Sequence, residues 1–202
     1  MKFEHDYSGY ENEVLYHMCR EKPHHDDIDV IKAKFLIIGR VYSAAIERKA
    51  GPDLKPYKNP GVWKKIKLSK IDYYIRRLNG INRITRKNAP ILLEAHFHLT
   101  SILKDITGIN KRSLASKYLH FHSPKSVFIY DSIASKEVRK KSKERYDLTN
   151  DFDNDYERYV YRCIDYRDTI LEPKIGLPVS PRRLDMELLG YSFLRNVNFK
   201  SK

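Results

Sequence analysis

Apolar residues along this chain recur at steps of three and four almost everywhere, and nowhere alternate over the length of a strand. That pattern commits the chain to helices. Ile28, Ile31, Phe35, Ile38, Tyr42 and Ala45 form one stripe, and Val30, Ala33, Ile37, Val41 and Ala44 form a second beside it. A helix apolar on two faces is expected at the centre of a molecule. Phe152, Tyr156, Tyr159, Cys163, Tyr166 and Ile170 repeat the same steps. Further helices are expected over about 11–20, 62–78, 89–105, 112–121, 132–143 and 182–189, with Asp26 as N-cap of the long helix and Pro181 opening the last. Gly51-Pro52, Pro56, Asn59-Pro60-Gly61, Asn79-Gly80, Pro90, Ser123-Pro124 and Pro173 punctuate the chain. The fold class is therefore all-α. The 202 residues fit one large or two small domains, and we take a single domain spanning 1–202.

Hydrophobic residues make up 41% of the chain, enough for a buried core. Runs of them such as Phe35-Leu36-Ile37-Ile38 do not exceed four residues, far too short to cross a bilayer. The start, Met1 to Asp6, lacks the apolar centre of a signal peptide. Cys19 and Cys163 are too few for a disulfide framework, so a reducing, cytoplasmic setting is expected.

The formal net charge of +13 is unevenly spread. Residues 1–29 hold three Lys/Arg against eight acids. Residues 48–87 hold thirteen against Asp53 and Asp72, and residues 136–145 hold six against two. Clustered cations attract polyanions by counterion release, and a nucleic acid is the expected partner.

The segment Ile106-Thr107-Gly108-Ile109-Asn110-Lys111 joins two expected helices. Gly108 and Asn110 tolerate positive φ, as a tight turn requires. The helix that follows offers free N–H groups to an anion, with Lys111 and Arg112 beside them. After Pro124, the run Val127-Phe128-Ile129-Tyr130 leads into Asp131, which sits where an N-cap belongs. A carboxylate there could steady a cation forming on a sugar, or orient and deprotonate a water.

Taken together, residues 89–141 resemble the helix-hairpin-helix DNA glycosylases, and most of all the small prokaryotic proteins of the 8-oxoguanine-glycosylase-fold branch. The match is carried by the turn 106–111, by Ser116-Lys117-Tyr118-Leu119-His120-Phe121, and by Ile129-Tyr130-Asp131-Ser132. The resemblance implies a two-lobed all-α fold with a central DNA- and base-binding cleft, and it implies that Asp131 is the catalytic aspartate. Gly108, Asn110, Lys111 and Arg112 would grip the DNA backbone. The family turn reads Leu-Pro-Gly-Val-Gly, and here Thr107 and Asn110 replace the Pro and second Gly. Bifunctional members place a nucleophilic lysine where Arg112 stands, and arginine cannot lose its proton to form a Schiff base. A monofunctional enzyme is thus expected, with water attacking the anomeric carbon; Lys117 is the secondary option as nucleophile. The four-cysteine iron–sulfur cluster of some members is absent, and no cofactor is expected.

Base-pocket candidates are Arg40, Tyr42, Ser43, His120 and His122. Arg40 either pairs internally or faces a cleft. The tyrosines after Phe152 read as core, and as base-stacking surfaces second. Arg182 or Arg183 with Asp185 reads as an internal ion pair. The expected activity is release of a damaged or modified base from double-stranded DNA by a monomeric enzyme, leaving an abasic site, either in repair of oxidised purines or in defence against phage DNA with bulky modified bases. Two alternatives stand beside it: a non-catalytic DNA-binding module, and a metallonuclease built on His96, His98, His120 and His122. The i, i+2 spacing of those histidines converges poorly on a helix, and no metal is expected.

Overall fold

The computed structural model describes residues 10–51 and 54–191, so the stretch Met1–Asp6 and Pro52 lie outside the described residues. The described residues contain helices and no strand. The order is α1 (Tyr10–Glu21), α2 (Ile28–Val41), a 3-10 turn (Pro56–Lys58), α3 (Pro60–Lys67), α4 (Ile71–Asn79), α5 (Ala89–Thr107), α6 (Arg112–His122), α7 (Ser132–Lys141), α8 (Asn154–Asp165), a π-helical segment (Tyr166–Leu171), α9 (Glu172–Ile175) and α10 (Pro181–Leu188). None of these is long and apolar enough to cross a membrane.

Side-chain caps set several boundaries. Asp27, not Asp26, caps α2: its carboxylate accepts from the N–H groups of Asp29 at 2.8 Å and Val30 at 3.3 Å. Ser180 accepts from Arg183 N–H, and Pro181 supplies the preset φ of a first helical residue. The expected helix over 62–78 divides at Leu68-Ser69-Lys70. There Ser69 Oγ donates to the Ile66 carbonyl at 2.7 Å and accepts from Ile71 N–H at 3.2 Å, offering the backbone an alternative to helix.

The central helix is α6, not α2. Only one face of α2 is sealed: Ile31, Phe35 and Ile38 are fully buried, whereas Leu36 and Val41 are each 40% exposed. It also ends at Val41, before Ala45, because the chain turns back over Gly39. A Cβ on Gly39 would stand 2.9 Å from Ala45 Cα. By contrast every residue of α6 from Leu114 to His122 is buried. Its polar members can be buried because each has a partner. Ser116 Oγ, for example, donates to the Ser113 carbonyl and accepts from Tyr130 N–H at 2.9 Å. Around α6 pack α1, α2, α4 and α5, and α5 in turn packs on α3, α4 and α8.

The tyrosine stripe of α8 is core. Tyr156 and Tyr159 are buried, and their hydroxyls donate to the carbonyls of Phe128 (2.9 Å) and Ile129 (2.5 Å). Those two bonds fix the extended run that carries the chain from α6 to α7.

Candidate active site at the junction of α6 and α7

Asp131 is the N-cap of α7. Its extended backbone (φ −137°, ψ 151°) lets Oδ1 accept from Ile133 N–H at 2.8 Å. The other oxygen, Oδ2, faces Lys117 Nζ at 3.5 Å. The Asp131 side chain is 31% exposed, and that of Lys117 only 4%. Lys117 also donates to Ser113 Oγ, one helical turn earlier, at 2.9 Å, and lies 5.6 Å from the centre of the Tyr42 ring. Burial drives the Lys117 pKa down, while Asp131 and Asp185 oppose the shift. An amine so placed can carry a free lone pair nearer neutral pH than a surface lysine does.

The third member of the group is Asp185 on α10. It is 3% exposed and paired with Arg182 at 2.8 Å, as the sequence suggested. Its Oδ1 is buried and has no hydrogen-bond partner. Burial pushes its carboxyl up to about 6; Arg182 and Lys117 pull against that rise, and Asp131 adds to it. Two carboxyls and an amine, from α6, α10 and the cap of α7, therefore act on one another's charge, with Lys117 and Asp185 buried and Asp131 partly open. Ser113 was legible as the i−4 neighbour of Lys117. The nearness of Asp185 to Lys117 had no local signal.

Of the five base-pocket candidates, Tyr42 alone lies against Lys117. Its hydroxyl donates to Asn12 Oδ1 on α1, and burial raises it to about 12. His120 sits behind, bonded to Tyr16 Oη at 2.7 Å and to the Val127 carbonyl at 2.8 Å. The carbonyl requires a proton on Nδ1, so Nε2 accepts from Tyr16. Burial lowers the His120 pKa to about 4. His122 belongs to a different cluster, with ring contacts to His25 (5.2 Å) and Tyr118 (5.1 Å) and Lys34 Nζ at 3.4 Å. Arg40 and Ser43 are exposed. Among the described residues Arg40 has no ion pair, because α2 turns that face to solvent. Ser43 takes φ +50° in the turn after α2.

The turn residues are placed as a tight corner, but their side chains are engaged. Gly108 caps α5 in the left-handed region (φ +70°) and its N–H donates to the Lys104 carbonyl. Asn110 donates to Asp153 Oδ2 at 2.9 Å. Lys111 is buried and donates to the Arg48 carbonyl. Arg112 holds Asp153 at 2.8 Å and Asp155 at 3.1 Å. Burial alone would raise the Asp153 carboxyl, but the bonds from Arg112 and Asn110 outweigh it and hold it below the usual range. The cationic side chains expected to grip phosphate are thus bound to protein.

His96 stacks on Tyr156 (3.5 Å between ring centres) and its Nε2 donates to the Arg112 carbonyl. His98 packs at a tilt against Tyr74 instead, with ring centres 4.7 Å apart. Among the described residues, no group of three or more His, Cys, Asp or Glu is placed to hold a metal ion. Compared with known proteins, the chain matches no family model, no curated protein and no solved structure.

Proposed function

We propose that the protein is a DNA N-glycosylase that releases a damaged or modified base flipped out of duplex DNA. The observation that carries this reading is the apposition of a buried amine, Lys117, and a partly open carboxylate, Asp131, at 3.5 Å. Base excision needs that chemistry: a nucleophile for the anomeric carbon and a negative charge beside the cation that develops on the sugar. Lys117 takes a larger part than its sequence position suggested. In its neutral form the amine attacks C1′ as the N-glycosidic bond breaks and its electron pair leaves with the base, which takes a proton from solvent. Asp131 then takes one proton from the new C1′ ammonium and returns it to O4′ as the C1′–O4′ bond opens, giving a Schiff base to Lys117. Water attack assisted by Asp131 is the alternative route. The target would be an oxidised purine in repair, or a bulky modified cytosine in phage defence.

The reading carries two structural requirements. Two cavities of about 430 Å³ border residues 139–146, and neither is lined by Asp131 or Lys117. On this reading a flipped base approaches from the exposed side of Asp131. DNA-backbone contact also passes from the engaged side chains of Lys111 and Arg112 to main-chain N–H groups at the start of α6, and to exposed Arg48 and Lys49.

Incubation with duplexes bearing single modified bases, among them 8-oxoguanine and glucosylated cytosine, tests the proposal by mass spectrometry of the free base. One released base class supports it; intact oligonucleotides across the panel reject it. A non-catalytic DNA-binding module is the second reading, favoured by the purely structural cap that Asp131 Oδ1 makes on α7. It predicts duplex binding with no base release.

A further inference from the structure

The far end of α7 carries a second feature. An open cavity of about 430 Å³ is lined by Arg139 of α7, by Lys143 and Arg145 of the connecting segment, and by Arg158 and Arg162 of α8. The one carboxylate on its wall, Glu144, reaches Arg86 outside the group at 3.5 Å. Tyr146 forms a fixed wall, its hydroxyl donating to Asp165 at 2.5 Å and bonding Ser142 at 2.8 Å. Arg158 pairs with Asp155 on its own helix, at 3.4 Å. Among the described residues, Arg139, Lys143, Arg145 and Arg162 have no carboxylate partner. Arg162 is the telling member: its Nε is buried and makes no hydrogen bond. Burial lowers its pKa, and the neighbouring cations Arg158 and Arg139 lower it further.

Five converging cations with a buried, unsatisfied guanidinium nitrogen are costly without an anion. Guanidinium groups also match phosphate oxygens in pairs, which a solvated lysine face does not require. We infer that this cavity binds the sugar-phosphate backbone of the nucleic acid that reaches Lys117 and Asp131. Eight residues of helix separate Asp131 from Arg139, about 12 Å at the helical rise. Set against about 3.4 Å per base pair, the cavity takes a phosphate three to four steps from the flipped nucleotide. The inference rests on the nucleic-acid partner of the proposed function, not on excision, and an undamaged duplex tests it apart from catalysis.

The experiment measures the affinity of a labelled undamaged duplex over a range of salt concentrations. The double variant Arg139→Gln/Arg162→Gln should bind about tenfold more weakly at low salt, with a log–log salt slope reduced by about one. Lys32→Gln, on the remote face of α2, should stay within about twofold of wild type and keep the full slope. The double variant should melt no lower than wild type, because it relieves repulsion. Arg158→Gln, a change at an accessible site, repeats the test should the double variant fold poorly. An unchanged slope in these variants, or no duplex binding by wild type, overturns the assignment. So does tight binding of tripolyphosphate that the double variant loses while its duplex slope stays intact, since the ligand would then be a free polyphosphate. Absence of base release by the wild-type protein, with the slope difference preserved, would reject the glycosylase reading and leave this site standing.

Discussion

The two ends of α7 solve the problem of charge in opposite ways. At its start, Asp131, Lys117 and Asp185 are drawn together from three helices, largely out of water, and each shifts or satisfies the others. At its end, Arg139 joins four more cations around an open cavity with almost nothing to balance them. Self-compensated charge on largely buried groups suits chemistry, because burial moves pKa values toward the working pH. Uncompensated charge in an open cavity suits a ligand that brings its own negative charge.

Asp131→Asn should separate the ends most sharply. Asparagine caps a helix as well as aspartate does, so the melting temperature should hold. Base release should fall by about 10²- to 10⁴-fold, and duplex affinity should remain within a few-fold. Equal release by variant and wild type would remove Asp131 from the chemistry and leave it a cap.

Asp185 gives the next largest effect. Its carboxyl rises from 3.8 to about 6 in the folded protein, so the folded chain binds that proton more readily than the unfolded one. The stability this contributes is full below about pH 3.8 and is lost as pH rises through about 6. Asp185→Asn should therefore gain on wild type between about pH 4 and about pH 8, by on the order of 3 kcal/mol. Chemical denaturation at the two pH values checks this, and parallel curves would show that Asp185 is better solvated than its burial suggests.

A smaller effect is expected at the turn. Arg112→Gln strips Asp153 of its main partner and should cost about 2 kcal/mol of stability, a loss short of that for a fully buried pair. It should leave the salt dependence of DNA binding almost unchanged, because Arg112 already serves Asp153 and Asp155. A reduced salt slope would return Arg112 to the DNA-contact role that the sequence suggested.

Much of the helical frame was legible in the sequence because step-three-and-four patterns and capping residues are local signals. Asp131 as an N-cap, Pro181 at a first helical position and the Arg182–Asp185 pair all belong to that class. What the sequence hid was tertiary. Nothing in Lys-Leu-Ser-Lys at 67–70 is a helix breaker, yet Ser69 turns the chain there through its own hydroxyl. The burial of α6 was hidden by Ser116, Lys117, His120 and His122, which Ser113 satisfies only in part; their other partners, Tyr130, Asp131, Tyr16 and Lys34, lie outside the helix. The sequence leaves Arg40 to pair internally or face a cleft, but α2 buries only one side and Arg40 lies on the other. The contact of Lys117 with Asp131 spans fourteen residues and a change of helix, and no spacing rule announces it.

The most direct test of the account is borohydride trapping on a duplex whose modified base the protein releases, followed by peptide mapping of the adduct. The account predicts one covalent DNA–protein species, attached at Lys117 and lost in Lys117→Gln. Base release with no trapped species would contradict attack by the Lys117 amine and leave only the water route through Asp131, and an adduct at another lysine would contradict the claim that the Lys117–Asp131 pair is the reactive centre.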